Sequence, residues 1–208
     1  MEKGIIYIAS LLLVALVAYN SVYFKKLDQI TTGKNLFNAA EYASRFWNEK
    51  LPRHTTKAIG IDVLLDLLQT DKDMAFKDYS HALGISNIKY FLIKGSGIVQ
   101  AVGENQVSLE TKSEGRSTQL FLATEYVFGN AVRDASGEID INAFTNSMDF
   151  NNVSAEINKI IREKVIPPFS SKVKTGDRVD FIGAIELNQE HLNTQSIEVI
   201  PIELKIKD

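Results

Sequence analysis

Tyr90-Phe91-Leu92-Ile93-Lys94-Gly95-Ser96-Gly97-Ile98-Val99-Gln100-Ala101-Val102 is the stretch on which the fold turns. It is rich in Ile, Val and Phe, residues that suit a pleated, half-buried surface. Only Gly95 and Gly97 break it. Glycines inside a strand mark a bend or bulge, as where a sheet curls into a barrel. A phosphate-binding loop is the competing reading, but Gly95-Ser96-Gly97 opens no helix and lacks the third glycine.

Toward the C-terminus the punctuation is regular. Gly103-Glu104-Asn105 is a turn, Gln106 to Thr111 alternates with Val107 and Leu109 on one face, and Ser113 to Ser117 turns again. Gln119 to Val127 is a third strand. Asp134-Ala135-Ser136-Gly137 is a turn, with Glu138 to Ile141 extended beyond it. A helix follows near residues 151–166, striped by Val153, Ile157, Ile160, Ile161 and Val165 and ended by Pro167-Pro168. Arg178 to Leu187 and Gln195 to Lys205 are the closing strands. Pro201 makes the last of them an edge or a bulged strand. The order β-β-β-α-β-β is that of a five-stranded OB-type Greek-key barrel, and an open α+β sheet is the alternative.

Toward the N-terminus the period changes. Leu36, Ala40, Ala43 and Trp47 share one helix face, with Asn35 as cap and Pro52 past the end. Asp62 opens a second helix through Leu64, Leu65 and Leu68. A third begins near Asp73, carries Phe76, Tyr79 and Leu83, and stops at Gly84. The expected class is therefore α+β: a membrane or signal segment over 1–24, a helical subdomain over 25–86, and an OB-like barrel subdomain over 87–208.

Gly4 to Phe24 carries no charge and has about the length (roughly 20 residues) that a helix needs to cross a bilayer core. Tyr7 stands near one end, and Tyr19, Tyr23 and Phe24 near the other, as in aromatic belts. An uncleaved anchor and a cleaved signal peptide compete; Leu16-Val17-Ala18 is a poor cleavage site and favours the anchor. Lys3 and the free amine against Lys25, Lys26 and Lys34 lean toward a cytosolic domain by a small margin.

The 208 residues carry a net charge of −3 and no cysteine. Nucleic acid is not expected as a partner, because no basic stripe is present to grip phosphates. Disulfides, thiolate metal sites and cysteine lipidation are excluded. His54, His81 and His191 do not share chelating spacing, so no metal is expected. Asp134-x-Ser136-x-Glu138-x-Asp140 alternates oxygens as a calcium loop does, but its glycine is misplaced. No serine sits in a nucleophile elbow and no carboxylate spacing singles out an acid–base pair, so neither catalysis nor a cofactor is expected. A hydrolase built on the Asp134 to Asp140 loop has no identified base or nucleophile.

Arg133, Asp134, Phe144 and Asn146 are the candidate ligand-binding residues. Guanidinium, carboxylate and amide groups beside an aromatic ring suit a carboxylate or sugar hydroxyls. Extended backbone would point Arg133 and Asp134 to opposite faces, so the two are not expected to pair. The plainer reading has Arg133 tying loop carbonyls, Asp134 capping a turn and Asn146 bonding its own backbone.

Tyr19-Asn20-Ser21-Val22-Tyr23-Phe24-Lys25-Lys26-Leu27, Tyr90 to Gly97, Gly129-x-x-x-Arg133-Asp134-Ala135 and Phe144-Thr145-Asn146 together resemble a domain-of-unknown-function group, number 2291, described as predicted periplasmic lipoproteins. The resemblance covers nearly the whole chain. It implies an OB-like β part, a small helical part, and a place at the bacterial cytoplasmic membrane with the soluble domain on the periplasmic side. It sets aside the charge count. It also implies an accessory role in sugar uptake beside ABC transporters of the ribose type, with those transporter components as partners and no catalytic residues. The missing cysteine departs from the lipoprotein label and leaves the N-terminal helix as the anchor. The expectation is a membrane-anchored accessory or binding module linked to sugar transport; the alternative is a structural envelope protein without a small ligand.

Overall fold

The computed structural model describes residues 37–113 and 116–207, with Gly4, Tyr7, 11–14, 16, 17 and 19 of the N-terminal stretch. The chain forms two units, Met1–Phe37 and Asn38–Asp208. Among the described residues no helix is long and apolar enough to cross a membrane. Most of the expected anchor, 1–24, and the expected cap Asn35 lie outside the described residues.

In the second unit, α1 (Ala39–Arg45) is capped by Asn38, whose side chain accepts from the Glu41 amide. It runs through a π-helical turn, Phe46–Lys50, into α2 (Leu51–Thr55). Pro52 therefore lies inside a helical run rather than past its end. A proline ring clashes with the carbonyl four residues back, and widening the turn to i→i+5 bonding removes that conflict. The same device recurs downstream. There α6 (Ser147–Ile160) passes through a π turn, Ile161–Val165, into α7 (Ile166–Ser170), and Pro167-Pro168 open the last turn instead of ending the helix.

β1 (Ile59–Gly60) leads into α3 (Ile61–Thr70), whose Ile61, Leu64, Leu65 and Leu68 are buried at helical spacing. Asp71 caps α4 (Lys72–Tyr79). The expected run to Gly84 is cut short: Ser80–His81 form β2, and Gly84 has a φ of 65° in the following turn. β3 (Ile88–Val102), β4 (Gln106–Ser113), β5 (Arg116–Ala123), β6 (Arg178–Asn188) and β7 (Ile197–Lys207) make the barrel. Glu138 to Ile141 forms no strand; a 3-10 turn, Ile141–Ala143, occupies its end.

β3 pairs antiparallel with β6 from Ile88↔Asn188 to Ile98↔Arg178, and with β4 from Ile98↔Glu110 to Val102↔Val107. β4 pairs β5, β5 pairs β7 in parallel, and β7 returns to β6. The ring closes as β3-β4-β5-β7-β6-β3, which eliminates the open sheet. Pro201 lies opposite Gly183 at an irregularity in the β6–β7 ladder, just past the last β5 partner of β7, so its missing N–H breaks no second ladder. The remaining edge of β3 is taken by β1 and β2.

Both faces of the wall are buried. Phe91, Ile93, Leu109, Leu120, Leu122, Phe181, Ile185 and Val199 fill the interior, plugged by α3, α4 and Phe169. Tyr90, Leu92, Ala184, Ile200 and Ile202 face outward and are covered by α1, α6 and the one-turn helix α5 (Ala131–Ala135). Each such large side chain contributes about 1.5–3 kcal/mol on burial.

A Cβ on Gly97 would lie 2.9 Å from the Glu110 carbonyl oxygen, and one on Gly95 would lie 2.6 Å from Ile61 Cγ2. The backbone contact at Gly97 cannot relax by a rotamer change. Gly97→Ala is expected to lower stability by about 1–3 kcal/mol, read as a fall in the urea midpoint, while Ser96→Ala stays within about 0.5 kcal/mol. Equal midpoints would mean that the kink does not require glycine.

Candidate functional site

Gly129, at a φ of 76°, turns the chain out of β5 and into α5. The five residues of α5 are all buried, two of them charged: Arg133 is 3% exposed and Asp134 is 7% exposed. Charges that deep persist only when paired. Arg133 Nε donates to Asp134 Oδ1 at 2.6 Å and Nη2 donates to Oδ2 at 3.0 Å. The expectation that these neighbours would not pair is thereby corrected. A helical turn sets adjacent side chains about 100° apart, close enough to meet, where extended backbone would oppose them.

The pair is tied in on every side. Arg133 Nη1 donates to the Phe150 carbonyl at 3.3 Å, and the guanidinium lies 3.6 Å from the centre of the Phe150 ring. Asn130 Nδ2 donates to Asp134, and Tyr90 Oη donates to Asn130 Oδ1 at 3.4 Å. Burial first, then the charges of Glu186 and Asp134, push the Tyr90 phenol up to about 12. Phe144, half-buried, meets Phe150 edge-on at 5.3 Å and Tyr42 at 5.4 Å. Arg133, Asp134 and Phe144 thus gather around Phe150. Asn146 is exposed and caps α6, accepting from the Asp149 amide at 2.8 Å.

An open cleft of about 510 Å³ lies on the other side of Arg133. Its floor and wall are Asn151, Ser154, Ala155, Asn158 and Arg162, with Phe128, Gly129 and Asn130 facing them. Asn158 Nδ2 donates to the Gly129 carbonyl at 2.8 Å, and Arg162 Nη1 donates to the Val127 carbonyl, so α6 and its π turn hold the loop. Phe128 is 67% exposed and Tyr126 is 61% exposed, and the two rings stack at 6.3 Å. Ser154 Oγ is buried and has no hydrogen-bond partner among the described residues. The sequence carried a signal for this cleft. Asn151, Ser154, Asn158 and Arg162 fall at i, i+3, i+7 and i+11, a polar stripe beside the apolar one.

Glu138 bonds Lys50 and His54, which hold its carboxyl below the usual range, Lys50 first. Burial, then His54, lowers His81. The oxygens of the Asp134 to Asp140 run are dispersed: Ser136 Oγ donates to the Arg133 carbonyl and Asp140 bonds Asn142. No group of three His, Asp or Glu among the described residues could hold a metal. A larger cavity of about 610 Å³ lies beside Lys94, Lys112, Lys205 and Lys207, with Asp62, Asp180 and Glu203 among them. Its Lys205–Glu203 and Lys207–Asp180 pairs are solvated surface contacts, so the cleft at α6 is the better candidate.

A family model described as "Predicted periplasmic lipoprotein (DUF2291)" matches residues 12–205. Among solved structures, the chain is similar to the crystal structure of an OB-fold protein from Thermotoga maritima at 26% identity and a TM-score of 0.74; the match covers 82% of this chain and 99% of that one. No curated protein matches.

Arg133→Met leaves Asp134 buried without its counter-ion and is expected to cost about 3–5 kcal/mol in urea unfolding, while Arg133→Met with Asp134→Leu costs less than the single change. A neutral single variant would show that the pair does not hold α5. Tyr90 gives a pH signature. Its folded value lies above the unfolded one of 10.0, so its contribution is complete below that pH and is lost as pH rises through about 12. Tyr90→Phe is expected to flatten the fall in melting temperature across this window, and an unchanged slope would refute the assignment.

Proposed function

We propose a function from one premise: the chain belongs to the predicted periplasmic lipoprotein family that its residues 12–205 match. The protein is a membrane-anchored, extracytoplasmic accessory module that binds a sugar for uptake. It is held to the membrane by its N-terminal segment and works beside an ABC transporter. It acts by binding rather than by turnover.

The observation that carries this reading is the cleft between the Phe128–Asn130 loop and α6. Its volume falls within the range of small-ligand sites, roughly 300–1,000 Å³. The exposed Asn151 lines it with a planar amide that both donates and accepts, as hydroxyl groups require, beside Asn130 and Asn158, whose amides hold the loop. The exposed Phe128 ring, which lines it and stacks on Tyr126, offers an apolar surface for the C–H side of a sugar ring. Arg133 and Asp134 act here as the buried support of the loop, and Phe144 as packing against Phe150. The stacked pair also suits a protein partner, which keeps the structural envelope role as the second reading.

The full chain in detergent, screened by thermal shift against pentoses, hexoses and their acids, is expected to gain about 2.7 kcal/mol of stability at a hundred times Kd. Asn158→Ala is expected to weaken that shift. No shift with any sugar would end the binding role and favour the structural reading.

A further inference from the structure

We infer that the cleft at α6 prefers sugars carrying one carboxylate, of the uronate or aldonate class, over neutral sugars; this rests on the function proposed above and names its substrate class. The charges of the lining decide it. Among Phe128, Gly129, Asn130, Asn151, Ser154 and Asn158 there is no acid, and the cleft's two cations are Arg133 and Arg162. Arg133 brings no net charge, because Asp134 holds it through two hydrogen bonds and both are buried.

Arg162 is different. Its Nη1 donates one hydrogen bond to the Val127 carbonyl, and the guanidinium lies 5.7 Å from the Phe128 ring centre. No carboxylate among the described residues pairs with it. A guanidinium has five donors in a planar fork, and a single carbonyl leaves most of them for another acceptor. A carboxylate matches that fork with two parallel bonds. On the same helical run Glu156 pairs with Lys159, and Glu163, next in sequence, makes no ion pair with Arg162.

Ser154 supplies a second, independent observation. It is 7% exposed, lines the cleft, and its Oγ has no partner among the described residues. A buried hydroxyl without a partner is uncommon, and one beside a cavity marks where a bound acceptor or hydroxyl completes its bonding. Arg162, about two turns away along the same face, would hold the acid group, and the exposed Asn151 amide the hydroxyls, while Asn130 and Asn158 are bonded to Asp134, Tyr90 and Gly129.

Isothermal titration of the full chain in detergent with D-glucuronate and D-gluconate, against D-glucose and D-ribose, tests this. The acids are expected to bind at least about tenfold more tightly than the neutral sugars, with affinity falling as salt rises. Arg162→Gln is expected to remove that preference. Should Arg162→Gln loosen the Val127 loop, Asn151→Asp on the exposed flank places a negative charge in the cleft and is expected to weaken the acids more than the neutral sugars. Neutral sugars binding as tightly as the acids, with both variants silent on the ratio, would overturn the inference and leave the sugar-binding role standing. No binding by either class would remove both.

Discussion

At Gly97 the backbone of β3 passes so close to β4 that a single methyl group would press on the Glu110 carbonyl, and at Gly95 it leaves no room beside Ile61 and Phe181. This close approach lets one strand serve two neighbours in succession, β6 along its first part and β4 along its last. Without the bend, β3 would run straight, β4 could not return to close the ring through β5 and β7, and the interior core would have no far wall. The outer helices depend on it too, because α1, α5 and α6 cover the outward face of the same strands.

That double burial explains which parts of the fold were legible. Turn residues and strand-length apolar runs placed β3, β4, β6 and β7 within a few residues, and Pro201 correctly marked a bulge. Tyr90-Phe91-Leu92-Ile93 reads as a continuous apolar run because both faces are covered, so no alternation tells inside from outside. Closure itself is a contact between residues far apart in sequence, and local patterning is silent on it. The boundaries that failed had specific causes. Pro52 and Pro167 were read as helix ends, whereas in each case the preceding turn widens and the helical run continues. Gly84 was read as a helix terminus, whereas Ser80 and His81 had already left the helix to pair with β3.

The candidate site was legible in a different measure. Arg133, Asp134 and Phe144 do gather, but around Phe150, and the two charges are spent on each other. Reading them as an open patch assumed extended backbone; one turn of helix reverses the geometry. The residues that line the open cleft came from the polar side of α6, where attention to the apolar stripe hides them. Asn151, Ser154, Asn158 and Arg162 are unremarkable singly and informative only when wound onto one helix face.

The buried pair and the open arginine answer to opposite physical demands. Arg133 has its charge cancelled, its ring contact made and all three nitrogens engaged, so it contributes rigidity: it ties α5 to α6 through the Phe150 carbonyl and fixes Asn130 through Asp134. Arg162 holds the Val127 carbonyl with one nitrogen and keeps the rest of its fork toward the cleft. A site that must recognise a polar ligand needs both kinds of group. Its frame has to be satisfied internally so that it does not rearrange, and its recognising groups have to be left incomplete so that the ligand is what completes them. The unpartnered Ser154 hydroxyl belongs with Arg162 in that second class, since both line the same cleft and neither meets a carboxylate among the described residues.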